Sequence, residues 1–356
     1  MKVLHLPTSV GGNAYGLAMA ERNIGIDARV LYKGETWLKY PADIVIPFSS
    51  NAVFDALRLF SAGLKIYREY DVYHFNFGST LLDFRGSGLD LFELPFIQKH
   101  KIAVTYNGCD ARQKYGRMQQ AEICACKYPS CYGGVCMDKS IEEKKEKRIS
   151  KFQKYGASFF ALNPDLMNFL PDYTVFLPYS IAGWDKIETE YDSKKYTSLK
   201  KIKIVHAPTN RTAKGSDAIV ETIKRLQKKF PDRLELCLIE NTPYDKALEL
   251  YRTADIIIDQ IRIGWYGAFA VEAMKMGKPV IAYINEDDLH FIPKDMAKDC
   301  MEAVISANEF DLEEILGTLI DNLNVLKEKN EAQIEFVYKW HNPQYVAAIT
   351  KKVYEE

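Results

Sequence analysis

The chain holds 356 residues, about two domains' length, with 47% apolar and 27% charged side chains. That balance excludes a disordered chain, a collagen-like repeat and a disulfide miniature. Its 47 basic and 48 acidic residues leave a formal charge of -1, so no global basic field draws nucleic acid. Residues 1–180 carry 22 basic and 18 acidic side chains, a net of +4; the remaining 25 and 30 give residues 181–356 a net of -5.

Met1–Pro7 passes directly into a strand-like run, without the charged and then apolar stretches of a secretory leader. No stretch approaches 18 consecutive apolar residues. These features predict a cytoplasmic chain whose seven cysteines are thiols or metal ligands before they are disulfides.

Short apolar runs predict strands at 2–6, 28–32, 43–46, 72–75, 102–106, 158–162 and 174–177, then at 202–207, 234–239, 255–259 and 279–284. Helical periodicity lies between them, for instance at 217–229, 244–253 and 268–276. Such alternation means parallel α/β sheets with right-handed crossovers. The polar run 188–201 marks a seam. The expected organisation is an N-terminal, acceptor-side domain over 1–185, a nucleotide-binding domain over 186–342, and a terminal helix over 343–356 that packs back on the first. Both domains are doubly wound and face each other across a cleft, with ligands at the carboxyl ends of the strands.

Several stretches carry chemistry. The first strand ends in Thr8-Ser9-Val10-Gly11-Gly12-Asn13 before a helical pattern, so Gly11 and Gly12 let backbone N–H groups approach an anion at a helix start. A tight turn needing glycine dihedrals is the other reading. Phe54, Leu57, Phe60, Leu64 and Tyr67 recur at helical spacing beside Arg58, Lys65 and Arg68. A core-facing stripe is the ordinary account of that pattern; the other is peripheral contact with the inner face of a membrane. The segment 139–154 adds a local net of +4. His74 ends a strand and is either a structural imidazole or a donor-binding group. Asn107 and Asp110 follow the strand at 102–106; Asn107 offers hydrogen bonds without acid–base chemistry, and Asp110 is the nearest ionisable candidate.

Cys124, Cys126, Cys131 and Cys136 have the spacing C-x-C-x4-C-x4-C, in a segment expected on the first domain. Four thiolates would close a structural zinc site, with free thiols or an iron–sulfur cluster as the alternatives. In the second half, Arg211 and Lys214 stand in the loop after the strand at 202–207, a fork and a point charge suited to pyrophosphate. Gly264–Ile281 then runs as a glycine-rich loop entering a helix. There Gly267 and Ala268 offer backbone amides, and Glu272, one turn in, offers a carboxylate to the vicinal hydroxyls of a ribose.

Together these stretches resemble the GT-B-fold retaining glycosyltransferases of the group-one, glycogen-synthase-like class. That family's signature ends as E-G-F-G-x-x-x-x-E-A-M-A-x-G-x-P-V-I, and Gly264–Ile281 follows it closely, with Gly264 in place of the first glutamate. Asn107 stands where the family often carries a histidine. The resemblance implies that Gly11, Gly12, Arg211 and Lys214 bind the donor diphosphate and that Glu272 binds the ribose of a nucleoside-diphosphate sugar. It implies transfer of the sugar, with retention, to a glycan or lipid-linked acceptor. No Asp-x-Asp triplet is present to hold a divalent ion, so side chains would stabilise the leaving group without metal. The other readings are a nucleotide-sugar epimerase of the same architecture and a non-catalytic two-lobed binding protein.

Overall fold

The apolar runs become eleven strands among the described residues, each parallel to its neighbours, with helices in the connections between most of them. This computed structural model describes residues 1–8, 10–34, 39–47, 49, 52–81, 90–192 and 194–356, so Ser9 of the first loop lies outside the described residues. Two compact units result. Met1–Gln113, Lys139–Ala182 and Asn342–Glu356 form one, and Lys114–Asp138 with Gly183–His341 form the other.

The first unit contains β1 Lys2–Leu6, β2 Asp27–Lys33, β3 Ile44–Ile46, β4 Val72–Asn76, β5 Lys101–Tyr106, β6 Ser158–Ala161 and β7 Val175–Phe176. Their order is β3-β2-β1-β4-β5-β6-β7, which reverses between β1 and β4, where Leu6 stands opposite Phe75. A doubly wound sheet opens its ligand crevice at such a reversal. One face packs Leu4, Leu6, Tyr73, Phe75, Val104 and Phe159 against Leu59 and Ile66 of helix Ala52–Ile66 and Ile149 and Phe152 of helix Ser140–Lys154. On the other side, helix Pro343–Glu355 meets helix Asn13–Asn23, where Thr350 and Tyr354 both donate to the buried Glu21 carboxylate at 2.9 Å. Each fully buried Leu, Ile or Phe of this kind contributes roughly 1.5–3 kcal/mol.

The second unit contains β8 Ile202–His206, β9 Leu234–Leu238, β10 Ile256–Ile258 and β11 Val280–Ile281, in the order β11-β10-β8-β9. Its reversal falls between β8 and β10. Ile204 and Ile256 stand opposite each other there, above Ile219, Ile223 and Leu226 of helix Ser216–Lys229. The run expected at 279–284 pairs only over β11; Pro279 has no N–H to give the ladder, although its carbonyl accepts from Ile257 at 2.8 Å.

Two expectations are corrected. The four-cysteine segment was expected on the first domain but packs within the second unit. Arg117, 1% exposed, makes a bidentate pair with Asp288 at 3.0 and 2.6 Å. Arg262 lies 3.6 Å over the Tyr128 ring while pairing with Glu309 at 2.7 Å, and Ala125 donates its backbone N–H to the Arg262 carbonyl at 2.9 Å. The second correction concerns helix Ala52–Ile66. Tyr67 of the expected stripe is buried in the core, and the side chain of Leu64 lies outside the described residues, but Leu59, Gly63 and Ile66 occupy the sheet-facing arc of the helix and Phe54, Leu57 and Phe60 are 64%, 62% and 47% exposed.

Candidate functional site

At the reversal in the second unit, the loops leaving β8 and β10 bring several expected residues together. β8 ends at His206, and four residues later the Asn210 side chain caps the short helix Arg211–Lys214 by accepting the Ala213 N–H at 2.9 Å. Gly215 then turns the chain at φ +77°; a Cβ there would lie 2.4 Å from Ile261 Cγ1, so glycine is required by both conformation and space. His206, strapped between the Ile258 carbonyl (2.7 Å) and Ser216 Oγ (2.8 Å), is pushed down to about 4 by burial and stays neutral.

The centre of this arrangement is Asp259, directly after β10 and fully buried. One carboxylate oxygen holds the Lys214 ammonium in an ion pair, and the other accepts the Gly267 N–H at 2.7 Å. Gly267 precedes helix Ala268–Lys275, and a Cβ on it would lie 3.7 Å from Lys214 Nζ. Lys214, Gly267 and the helix start at Ala268 therefore converge on one carboxylate. Asp259 was missed. Its signal was available, as an acid closing the run Asp255-Ile256-Ile257-Ile258 beside a loop bearing two cations.

Glu272, one turn into that helix, is buried and accepts from the Tyr244 hydroxyl at 2.8 Å. Burial pushes its carboxyl up to about 8, against the opposing hydrogen bond from Tyr244, so it is protonated at neutral pH. Arg211 shares its helix with Lys214 but engages the Asp217 (2.6 Å) and Glu240 (3.2 Å) carboxylates at the surface. Gly264 explains itself sterically. A Cβ there would lie 3.0 Å from Asn285 Cβ and 3.1 Å from Arg117 Nη2, so Arg117, held by Asp288, stands where a larger side chain would start.

In the first unit, Gly11 and Gly12 both adopt positive φ (60° and 68°) before helix Asn13–Asn23. A Cβ on Gly12 would come 2.7 Å from Tyr40 Cε1, so the turn demands glycine whatever else it does. His74 is corrected. It is fully buried, with Nδ1 on the Tyr354 hydroxyl and Nε2 on Thr105 Oγ1 at 2.6 Å, and its ring stacks on Phe160 at 5.4 Å. Burial keeps it neutral, well below its ordinary value. Asp110 is also corrected. Its carboxylate is spent on its own loop, accepting backbone N–H groups of Asn107 (2.9 Å) and Gly108 (2.6 Å). Desolvation still raises it to about 6. Arg112 pairs instead with buried Asp165, at 2.5 and 2.8 Å. Asn107 keeps a buried side-chain oxygen with no hydrogen-bond partner among the described residues, a polar atom that costs stability unless something meets it.

The cysteine segment brings Cys124 and Cys126 side by side. A hydrogen bond from Cys126 lowers the Cys124 thiol to about 6. Three metal-capable ligand atoms within 4.8 Å of one another occur, among the described residues, at His5, Glu21 and His74 and not at the four cysteines. At His5, the Nε2–Glu21 Oε2 separation of 2.7 Å is a hydrogen bond, shorter than the roughly 3.3 Å between two such ligands on one tetrahedral zinc. Among the described residues, no helix is long and apolar enough to cross a membrane.

No protein-family model matches the chain, and no curated protein matches it. Solved structures do. A sucrose-phosphate synthase from Thermosynechococcus elongatus superposes with a TM-score of 0.59 at 12% identity, over 100% of this chain and 98% of that one. The S. aureus MnaA–UDP co-structure gives 0.54 at 12%, over 99% and 95%. A protein assigned as a UDP-N-acetylglucosamine 2-epimerase from Listeria monocytogenes gives 0.50 at 12%, over 100% and 97%. The fold these likenesses define is GT-B, built of two Rossmann-like domains.

Proposed function

We propose that the chain is a glycosyltransferase that uses a nucleoside-diphosphate sugar and transfers the sugar with retention to a glycan or lipid-linked hydroxyl. The observation that carries this is the convergence of Lys214 and Gly267 on Asp259, at the start of the helix bearing Glu272. Breaking the anomeric C–O bond builds negative charge on the departing diphosphate. Lys214 is already oriented there by Asp259, and the free N–H groups of the first turn from Ala268 add the potential of a helix start. A preorganised donor of this sort is worth about 3–4 kcal/mol in the transition state. Arg211 supplies a second cation once the diphosphate competes with Asp217 and Glu240.

Glu272, neutral in the ligand-free chain, both donates to and accepts from the ribose hydroxyls. On the first unit, by itself, the Asn107 side-chain oxygen, which has no hydrogen-bond partner among the described residues, can accept from a hydroxyl, and the Gly11–Gly12 turn offers its amides to an anion. No side-chain base is needed if the departing phosphate takes the acceptor's proton. Two of the proteins of like fold support this reading by what they are described as doing: one is a sucrose-phosphate synthase, and another was solved with UDP.

The test is incubation with UDP-, GDP-, ADP- and dTDP-sugars, with and without glycan and lipid-linked acceptors. Acceptor-dependent nucleotide release supports transfer. Interconversion of the sugar without acceptor would replace the reading by epimerase, and binding without turnover by a binding protein.

A further inference from the structure

We propose that Cys124, Cys126, Cys131 and Cys136 hold a structural zinc ion in the second unit, in the segment that packs on helix Arg211–Lys214. The segment is built of two short turns, Ala125–Lys127 and Cys131–Met137, and neither contains a buried residue. Tyr132, Val135 and Met137 are 48%, 58% and 50% exposed. Its course is tight all the same. Tyr128 donates its N–H to the Ala125 carbonyl at 3.2 Å and Cys131 to the Tyr128 carbonyl at 3.1 Å, so one turn runs into the next. Tyr132, Gly133 and Gly134 follow at φ 46°, 68° and 76°, three left-handed residues in a row. A Cβ on Gly134 would lie 3.1 Å from the Pro129 carbonyl oxygen, so the loop doubles back there. A tyrosine in that conformation is strained and persists only where its surroundings fix it. Apolar burial does not supply that here.

The sulfurs supply it. Cys124, 3% exposed, accepts the backbone N–H groups of Cys126 and Lys127 and a hydrogen bond from the Cys126 side chain. Donors aimed at a sulfur in this way orient a metal ligand. Four thiolates at about 2.3 Å from one zinc stand roughly 3.8 Å apart, a spacing near that of two sulfurs in hydrogen contact. Among the described residues no third ligand atom lies within 4.8 Å of both. Cys131 and Cys136 sit at the two ends of the next turn, where Gly133 and Gly134 give the backbone freedom to close on the pair, and metal binding drives such closure. Zinc suits the set better than an iron–sulfur cluster. The spacing C-x-C-x4-C-x4-C matches neither common ferredoxin pattern, and zinc has no d-electron preference that an irregular loop must satisfy. The site adjoins the candidate anion-binding turn: Ser130 Oγ lies 3.2 Å from Thr212 Oγ1, and Arg262, stacked on Tyr128, donates to the Thr212 carbonyl at 3.1 Å. The ion therefore fixes the segment on which helix Arg211–Lys214 rests.

The experiment is elemental analysis of the untagged full chain after dialysis. Three variants accompany it: Cys124→Ser/Cys126→Ser, Cys131→Ser/Cys136→Ser and, as a control, Cys237→Ser. One zinc per chain is expected in the wild type and in the control, and loss of zinc from both double variants. Because a double variant can fail to fold, cobalt is also substituted into the wild type, where it should give the visible absorption of a tetrahedral tetrathiolate site. Four results overturn the proposal: a wild-type chain that retains no zinc and gives no such cobalt spectrum, zinc kept by either double variant, iron in place of zinc, or a Cys124–Cys126 disulfide in the freshly purified chain. None depends on nucleotide-sugar turnover, so the proposed function stands or falls separately.

Discussion

Replacing Lys214 by alanine should destabilise the chain as well as weaken anion binding. The Lys214–Asp259 pair is nearly desolvated, with the carboxylate side chain at 0% and the lysine at 14% exposure. Truncating the lysine leaves Asp259 with the Gly267 N–H at 2.7 Å as its remaining hydrogen bond in the loop, against a charge that water no longer reaches. Breaking a buried pair from one side costs about 3–5 kcal/mol. For a unit of roughly 150–250 residues each kcal/mol moves the midpoint about 2–4 °C, so the expected fall in Tm is on the order of 6–20 °C. The double variant Lys214→Ala/Asp259→Asn removes both charges and keeps an amide oxygen for Gly267, so it should recover most of that loss. The assay is thermal unfolding of the wild type, both singles and the double, with calorimetric titration of nucleoside diphosphate on each. The physical argument gives stability back in the double variant and leaves nucleotide affinity low. A single Lys214→Ala that melts within a degree or two of the wild type would refute it, since the carboxylate would then be reached by water.

Two further outcomes follow from the same site. Glu272 is raised in the folded chain to about 8, so the folded state favours its protonated form. The contribution to stability is complete below the unfolded carboxyl value of about 4.3 and is lost as pH rises through about 8. Over that window the loss is on the order of 4–5 kcal/mol at about 1.36 kcal/mol per unit, and urea titrations of Glu272→Gln should show the slope flattened. Gly215→Ala meets both a φ of +77° and a 2.4 Å contact with Ile261 Cγ1, so it should cost about 2–4 kcal/mol of unfolding free energy, measured by denaturant titration. It should also lower nucleotide affinity through the displaced Arg211–Lys214 turn, measurable by titration.

Much of this protein is written locally. Strands such as β1, β4, β5, β8 and β10 are legible as apolar runs because they are buried on both faces of a parallel sheet and need no alternation. The helices follow from 3.6-residue periodicity, and Gly12 and Gly215 from turns that only glycine can make. Lys214, Gly267 and Glu272 are also legible, since loops after strands and the first turn of the next helix are places that topology must bring to a sheet's reversal. What the tertiary structure alone decided concerns partners far apart in the chain. Asp259 becomes the counter-ion of Lys214, 45 residues away. Arg117 crosses 171 residues to Asp288 and so carries the cysteine segment into the second unit. His74 is withdrawn from the surface by Tyr354, 280 residues on. Helical periodicity alone does not say which arc of Ala52–Ile66 meets the sheet, because Leu59–Ile66 and Phe54–Phe60 are both apolar. Only packing chooses between them, and it leaves the phenylalanines outside.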